Sequence, residues 1–386
     1  MSTLAYHRIV VKLGTSTLTA GTPRLAPAVM VELVRQMAFL QEAGCEMLLV
    51  SSGAIAAGRE KLAMSALPRG ILPRQMLAAV GQPRLMGLYE QLFGLYGRTV
   101  GQVLLTRGDF SRRRSYLNAR TTLRALLDQG MVPIVNENDT TATEEIRVGD
   151  NDNLSALVAN LVDADLLLLL TDQPGLFTGD PRRDPSAQLL AEVNEPELPA
   201  AVWAAAGQSV GGLGVGGMVT KLQAADLARR GGTTTIIAGG TEANVILRAA
   251  RGEAVGTRFP AFGSALYSRE RYIWSSWDGH ARLTIDAGAV AALRAGRSLL
   301  PVGLTALAGA FERGDTVAVF DADGHELARG LVNYDAGDLA RIRGRRSEHI
   351  ESILGYDYGD EVIHRNQLVL RDSGKETVTE KSHDRA

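Results

Sequence analysis

Through the first two-thirds of the chain, short apolar runs alternate with stretches of helical spacing, and few folds accept that pattern. Residues 9–11, 47–50, 101–105, 132–135, 166–170 and 234–238 read as strands. Residues 27–44, 54–61, 74–96, 117–129, 154–161 and 222–230 read as the helices between them. In 27–44, for example, Val31, Val34, Met37, Ala38 and Leu40 recur at helical spacing and Gly44 supplies a stop. Strand and helix in turn predict an α/β fold, a mostly parallel sheet sandwiched by helices. Ligands of such sheets sit beyond the carboxyl ends of the strands. Four polar turns fall there: Lys12 to Ser16, Ser51 to Gly53, Asn136 to Asp139, and Thr171 with Asp172. Together they predict one crevice.

The pattern changes near residue 260. Residues 259–271, with Pro260, Gly263 and several serines, have no periodicity and read as linker. Beyond 282 the segments are short and β-like, at 283–285, 316–320, 330–333, 361–363 and 368–370. Helical pieces at 287–295 and 347–354 interrupt them, and Asp321, Ala322, Asp323 and Gly324 read as a hairpin turn. The expected layout is an α/β domain over 1–259, a linker over 260–280, a small mixed β-barrel domain over 281–371 and a disordered tail over 372–386.

Charge and composition close several routes. With 41 basic and 43 acidic residues the net charge is −2, which gives no electrostatic case for a nucleic-acid or membrane partner. Arg341, Arg343, Arg345 and Arg346 can form a local basic patch, but a solvated face or an interdomain contact is the preferred account of them. No apolar run reaches the ~18 residues that span a bilayer. One cysteine, Cys45, excludes an intramolecular disulfide, and a reducing compartment, the cytoplasm, is expected. The six histidines are scattered and no EF-hand spacing occurs, so no metal held by protein ligands is expected.

The residues with chemistry to offer are mostly lysines and hydrogen-bonding side chains. Gly211, Gly212, Gly214, Gly216 and Gly217 precede Lys221 and a helix. Glycines let backbone N–H groups approach an anion, and a helix start adds positive potential, so the stretch suits a polyphosphate; a flexible linker is the alternative. Its spacing is not that of a Walker A loop. Lys12, after the first strand, and Lys221 can grip a transferring phosphoryl group from two sides. Asp152 either orients those lysines by charge or caps the helix it begins. Ser52 and Gly53 offer a hydroxyl and a close backbone approach, or simply a helix cap. Asn136, Asp139 and Asn151 can recognise the amino and carboxyl groups of a free amino acid, or form a solvated turn.

In these strings the chain resembles the amino-acid kinase family, and in particular its members that phosphorylate glutamate. The matching segments are Val10 to Ser16, Ser51 to Gly58, Asn136 to Asp139, Val148 to Ala156, Leu170 to Leu176 and Gly214 to Lys221, in the family's order and spacing. The C-terminal part resembles a PUA domain, so the likeness covers all but the extreme tail. It implies ATP-dependent phosphorylation of the L-glutamate γ-carboxylate, with magnesium bridging the ATP phosphates. Lys12, Lys221 and Asp152 would be catalytic. Ser52, Gly53, Asn136, Asp139 and Asn151 would bind glutamate. ATP would meet Lys12, Gly14, Thr171, Asp172 and the run Val215, Gly216, Gly217, Met218, Val219, Thr220 and Lys221. Feedback inhibition by proline and a homo-oligomer, dimer or tetramer, are also implied. Val215 and Val219 stand where many relatives carry a hydroxyl residue, and Ser51 where threonine is common. A kinase for another amino-acid or carbamate acceptor shares the fold, and an RNA-binding PUA protein is a further alternative.

Overall fold

The computed structural model describes residues 4–64, 70–141, 151–181, 184–206, 217–262, 273–274, 277 and 279–371. The chain divides into two compact units, Met1–Ser268 and Arg269–Ala386. The first begins with β1 (Arg8–Leu13), α1 (Thr15–Thr19), α2 (Pro27–Glu42), β2 (Glu46–Ser51), α3 (Ala54–Lys61) and α4 (Ile71–Gly94). It continues through β3 (Val100–Leu105), α5 (Arg107–Ser111), α6 (Arg113–Asp128), β4 (Val132–Glu137), α7 (Asn151–Val162) and β5 (Leu166–Thr171). It closes with α8 (Ala200–Ala205), α9 (Met218–Arg230), β6 (Thr234–Gly239), α10 (Val245–Ala250) and β7 (Thr257–Phe259).

The seven strands form one sheet in the order β3-β4-β2-β1-β5-β6-β7. All pair in parallel except β7, which runs antiparallel to β6. β5 is buried at every position, as expected of a strand covered on both faces. Strand residues alternate between the faces and so feed two cores. Ile9, Val11, Met47, Leu49, Ile134, Leu166 and Leu168 pack with Tyr89 and Phe93 of α4. Val10, Leu48, Val50, Val135, Leu167 and Leu169 pack with Leu154 and Val158 of α7 and Leu222 and Ala225 of α9.

That parity sets where the polar residues at the strand ends point. Lys12 is two residues past Val10 and belongs to the α7/α9 face. Ser51 follows Leu49, and Asn136 follows Ile134, so both belong to the α4 face.

Two glycines bring α4 close to its neighbour. A Cβ on Gly81 would stand 1.8 Å from the Ala54 carbonyl oxygen, and one on Gly58 would stand 2.0 Å from that of Leu77. Neither backbone can give way, so α3 and α4 touch directly.

Several boundaries differ from the sequence reading. Asn136 and Glu137 close β4 and do not open a loop, because Asn136 pairs in register with Leu104 of β3. α9 starts at Met218, so Lys221 lies in its first turn. Phe259, read as linker, is buried in β7. Trp274 and Trp277 lie under the Arg329 guanidinium, 4.4 and 4.5 Å from its carbon to each ring centre. The tail over 372–386 lies outside the described residues.

The second unit holds a five-stranded mixed sheet. Its strands are Arg282–Ile285, Leu304–Ala308, Thr316–Phe320, Glu326–Leu331 and Leu368–Leu370. The turn at Asp321 to Gly324 joins the third and fourth of these as read, but the fourth begins at Glu326 and not near residue 330. Residues 361–363 form only an isolated bridge, Ile363 to Leu299. Helices Ala287–Arg294, Ala336–Ile342 and Ile350–Leu354 cover a core centred on Leu283, Val317, Val319 and Tyr334. No helix among the described residues is long and apolar enough to cross a membrane.

Candidate active site

Three charges meet at the carboxyl end of β1. Lys12 Nζ lies 2.6 Å from Asp152 Oδ1, and Lys221 Nζ donates to Asp152 Oδ2 at 3.2 Å. The residues are 4%, 6% and 0% exposed for Lys12, Lys221 and Asp152. Burial alone would raise the Asp152 pKa, but the fields of Lys12 and Lys221 and the hydrogen bonds from Lys12 and Thr220 outweigh it and hold the carboxyl far below its ordinary range. Lys12 and Lys221 both face Asp152, with little water to screen the three charges.

Each partner comes from a different element. The parity of β1 sends Lys12 toward α7, and the first turns of α7 and α9 carry Asp152 and Lys221. Asp152 is not a capping residue: it lies inside α7, and both oxygens are engaged by the lysines. Thr220, read only as an ATP contact, lies with its hydroxyl 2.7 Å from Asp152 Oδ2 and 2.8 Å from the Gly217 carbonyl. Having one hydrogen, it donates to one of them at a time.

A glycine stands beside Lys12, and another precedes the helix of Lys221. Gly14 precedes α1, and a Cβ there would stand 3.5 Å from Lys12 Nζ and 3.9 Å from the Leu170 carbonyl. Gly217 precedes α9, leaving the backbone N–H groups of Met218, Val219 and Thr220 at the helix start, where they favour an anion. Thr171 closes β5 beside β1, and its hydroxyl lies 3.0 Å from Oδ1 of the exposed Asp172. Val215 and Gly216, with the glycines before them, lie outside the described residues.

A second cluster adjoins the first through the start of α7. Asn151 Nδ2 donates to Ser52 Oγ at 2.9 Å and to Asn136 Oδ1 at 3.1 Å. Asn136 Nδ2 in turn donates to Gln82 Oε1 of α4 at 2.8 Å. Ser52 is therefore held by its side chain and does not cap α3. The residue preceding α3 is Gly53, at φ +105°, a conformation that disfavours any side chain. Beneath it, Ser51 Oγ lies 2.7 Å from the hydroxyl of fully buried Tyr89 and fixes the strand end from the α4 side.

Asp139 stands slightly apart. It lines a cavity of about 280 Å³ together with Ala79, Gln82, Pro83, Gln102 and Glu137. Burial raises its pKa to about 6, so the carboxylate is charged at neutral pH but only moderately below it. Pro83 has no N–H for the carbonyl four residues back, that of Ala79, which interrupts the helical ladder at the cavity wall.

Thus Lys12, Asp152, Lys221 and Thr220 form one group and Ser52, Asn136 and Asn151 another. The adjacent pair Asn151 and Asp152 joins them. The sequence reading did not single out Gln82, Tyr89 or Gln102. Gln82 lies deep in a 24-residue helix, and nothing in its local pattern marks it. Among the described residues, the one cluster with metal-ligand geometry is Asp321, Asp323 and His325 in the second unit.

A family model for the amino acid kinase family matches residues 7–239, and one for the PUA domain matches residues 281–354. The chain belongs to the amino acid kinase family. Proteins named glutamate 5-kinase are similar to it over nearly their whole length. That of Shewanella amazonensis is 55% identical, over 96% of this chain and 97% of the relative. Those of Photobacterium profundum and Herpetosiphon aurantiacus are each 54% identical, over 94% of this chain and 96% and 98% of theirs.

Proposed function

We propose that the chain transfers the γ-phosphoryl group of ATP to the γ-carboxylate of L-glutamate, forming γ-glutamyl phosphate and ADP, the reaction that opens proline biosynthesis. The observation that carries this reading is the buried pair Lys12 and Lys221 held on Asp152, set against an amide-rich cluster one residue away. Its specificity for glutamate comes from the full-length relatives of that name.

Phosphoryl transfer asks chiefly for alignment and for positive charge around the moving group. A glutamate γ-carboxylate is already ionised at neutral pH, so one oxygen attacks the γ-phosphorus directly as the bond to the ADP oxygen breaks. No general base is needed, in keeping with a site built from lysines and carboxamides. Lys12 and Lys221 neutralise charge on the equatorial oxygens, and Asp152 holds the two ammonium groups at a fixed separation. Thr171, Asp172 and the run from Val215 to Lys221 serve the nucleotide. Ser52, Gly53, Asn136, Asp139 and Asn151 serve the amino acid. Both Asp152 oxygens are occupied by lysines, so the residues fit a magnesium held by ATP phosphates and water. When bound, the ion supplies further positive charge to those phosphates.

The same reading gives 1–259 as the catalytic domain, 260–280 as linker, 281–371 as the PUA domain and 372–386 as a tail. It carries with it a cytoplasmic homo-oligomer, dimer or tetramer, inhibited by proline. The direct test is ADP formation with and without L-glutamate, with hydroxylamine trapping of the acyl phosphate and proline added in parallel. Glutamate-dependent ADP release with an equal yield of hydroxamate is expected. ADP release indifferent to glutamate, or a clear preference for acetylglutamate, aspartate or carbamate, would overturn the assignment.

A further inference from the structure

We infer that Gln82 is a substrate-binding residue that donates a hydrogen bond from Nε2 to the α-carboxylate of the amino-acid acceptor and so selects for it. The inference rests on the amino-acid kinase reading given above and concerns the acceptor end of that site.

One hydrogen-bond chain in the site has a fixed polarity. The backbone N–H of Glu137 can only donate, and it donates to Asn136 Oδ1 at 2.9 Å. That fixes which end of the Asn136 carboxamide is oxygen. Asn136 Nδ2 must then face Gln82, so the Gln82 atom 2.8 Å away must be the acceptor Oε1. The Gln82 amide thus has one allowed orientation. It leaves Nε2 buried and, among the described residues, without a partner. A buried amide N–H without an acceptor costs about 1–3 kcal/mol, so a molecule is favoured that brings one. At the other end of the chain the same logic applies. Asn151 Nδ2 is spent on Ser52 and Asn136, and Asn151 Oδ1 is buried and, among the described residues, has no partner. Among the described residues, the network therefore ends in one unused donor and one unused acceptor.

Gln82 also lines the cavity that holds Asp139. A carboxylate ligand at Nε2, with its neighbouring ammonium beside Asp139, satisfies both cavity groups at once. α4 is pressed against α3 at Gly58 and Gly81, so the residue after Gly81 has little freedom to drift. The amide is preorganised and its donation costs little ordering.

Gln82→Glu separates the two roles of this side chain. Glutamate at 82 keeps an oxygen for Asn136 Nδ2 and replaces only the donor with a negative oxygen. If Gln82 merely props up Asn136, the substitution leaves acceptor binding alone. On the inference, Q82E raises the KM for L-glutamate about ten- to hundredfold, more than it lowers kcat, while the KM for ATP stays within about twofold. Isoglutamine, whose α-carboxamide can donate to the new carboxylate, should gain on glutamate as an acceptor in Q82E relative to wild type. A glutamate KM within about twofold of wild type, or an unchanged ratio of the two acceptors, overturns the inference. Should Q82E fail to fold, judged by its Tm, Gln82→Met carries the same KM test, and an unaltered KM there is equally decisive. Wild-type protein with no glutamate-dependent turnover would remove the parent reading and this one together. Normal wild-type turnover with a silent Q82E removes this one alone.

Discussion

Replacing Asp152 with asparagine removes one negative charge, and nearly no volume, from between two buried ammonium groups. Breaking a buried ion pair by deleting one partner costs about 3–5 kcal/mol, because the surviving charge is left uncompensated. Asparagine keeps one oxygen for Lys12 or Lys221, so the lower end, about 3 kcal/mol, is expected for D152N. The companion variants are K221M and the double variant D152N/K221M. Once the carboxylate is gone, removing Lys221 also removes a repulsion, so the double variant should be more stable than the two single effects added together, by about 1–2 kcal/mol.

Urea unfolding followed by tryptophan fluorescence can read this in the first unit alone. Of the three tryptophans, Trp203 lies on α8 against the first unit's core, and W274F/W277F silences the other two. The pH dependence is a second check. A depressed carboxyl stabilises the fold fully above its unfolded pKa and loses that contribution only as pH falls through the folded value. The gap between wild type and D152N should therefore hold steady from about pH 7 to 5 and narrow only below the ordinary carboxylate range. Additivity of the two substitutions within about 0.5 kcal/mol would refute the idea that Asp152 holds the lysines together.

Lys12→Ala and Lys221→Ala should each cut turnover by about two orders of magnitude or more in the ADP assay, with far smaller changes in Tm; near-wild-type rates in both would remove the two-lysine mechanism. Asp139, with its pKa raised to about 6, should make kcat/KM for glutamate fall as pH drops below that value, and Asp139→Asn should abolish that limb of the profile. Because the fold disfavours the charged form of Asp139, D139N should also gain stability relative to wild type as pH rises from the ordinary carboxylate value through about 6, measured by Tm. Gly81→Ala places a methyl group 1.8 Å from the Ala54 carbonyl and should lower Tm by several degrees while raising the glutamate KM, since α4 must move away from α3 and take Gln82 with it.

Much of this site was legible because its residues sit where local pattern changes. Lys12 interrupts an apolar strand, Lys221 follows a glycine run, and Asn151 and Asp152 open a helix after a polar stretch. Each breaks a periodicity and so marks itself. The end of β4 was misread for the opposite reason: Asn136 and Glu137 look like loop, and only pairing with β3 and the amide of Gln82 make them strand. Gln82 itself was invisible because its partner is 54 positions away and its own helix continues past it on both sides. The short elements α10 and β7 escaped as well. Val245–Ala250 and Thr257–Phe259 are too brief to show a period, and β7 exists through its antiparallel pairing with β6. Asp152 shows how tertiary context decides between two local roles, since a carboxylate that the pattern allowed as a cap is claimed by two lysines from other elements.

The first two residues of α7 face different neighbours: Asn151 reaches Ser52 and Asn136, and Asp152 reaches Lys12 and Lys221. On the proposed reading, a small tilt of that one helix would displace both sets of contacts, so each substrate would bias the seat of the other. The two binding equilibria are then thermodynamically linked, and whatever factor glutamate lends to the affinity for ATP, ATP must return to glutamate.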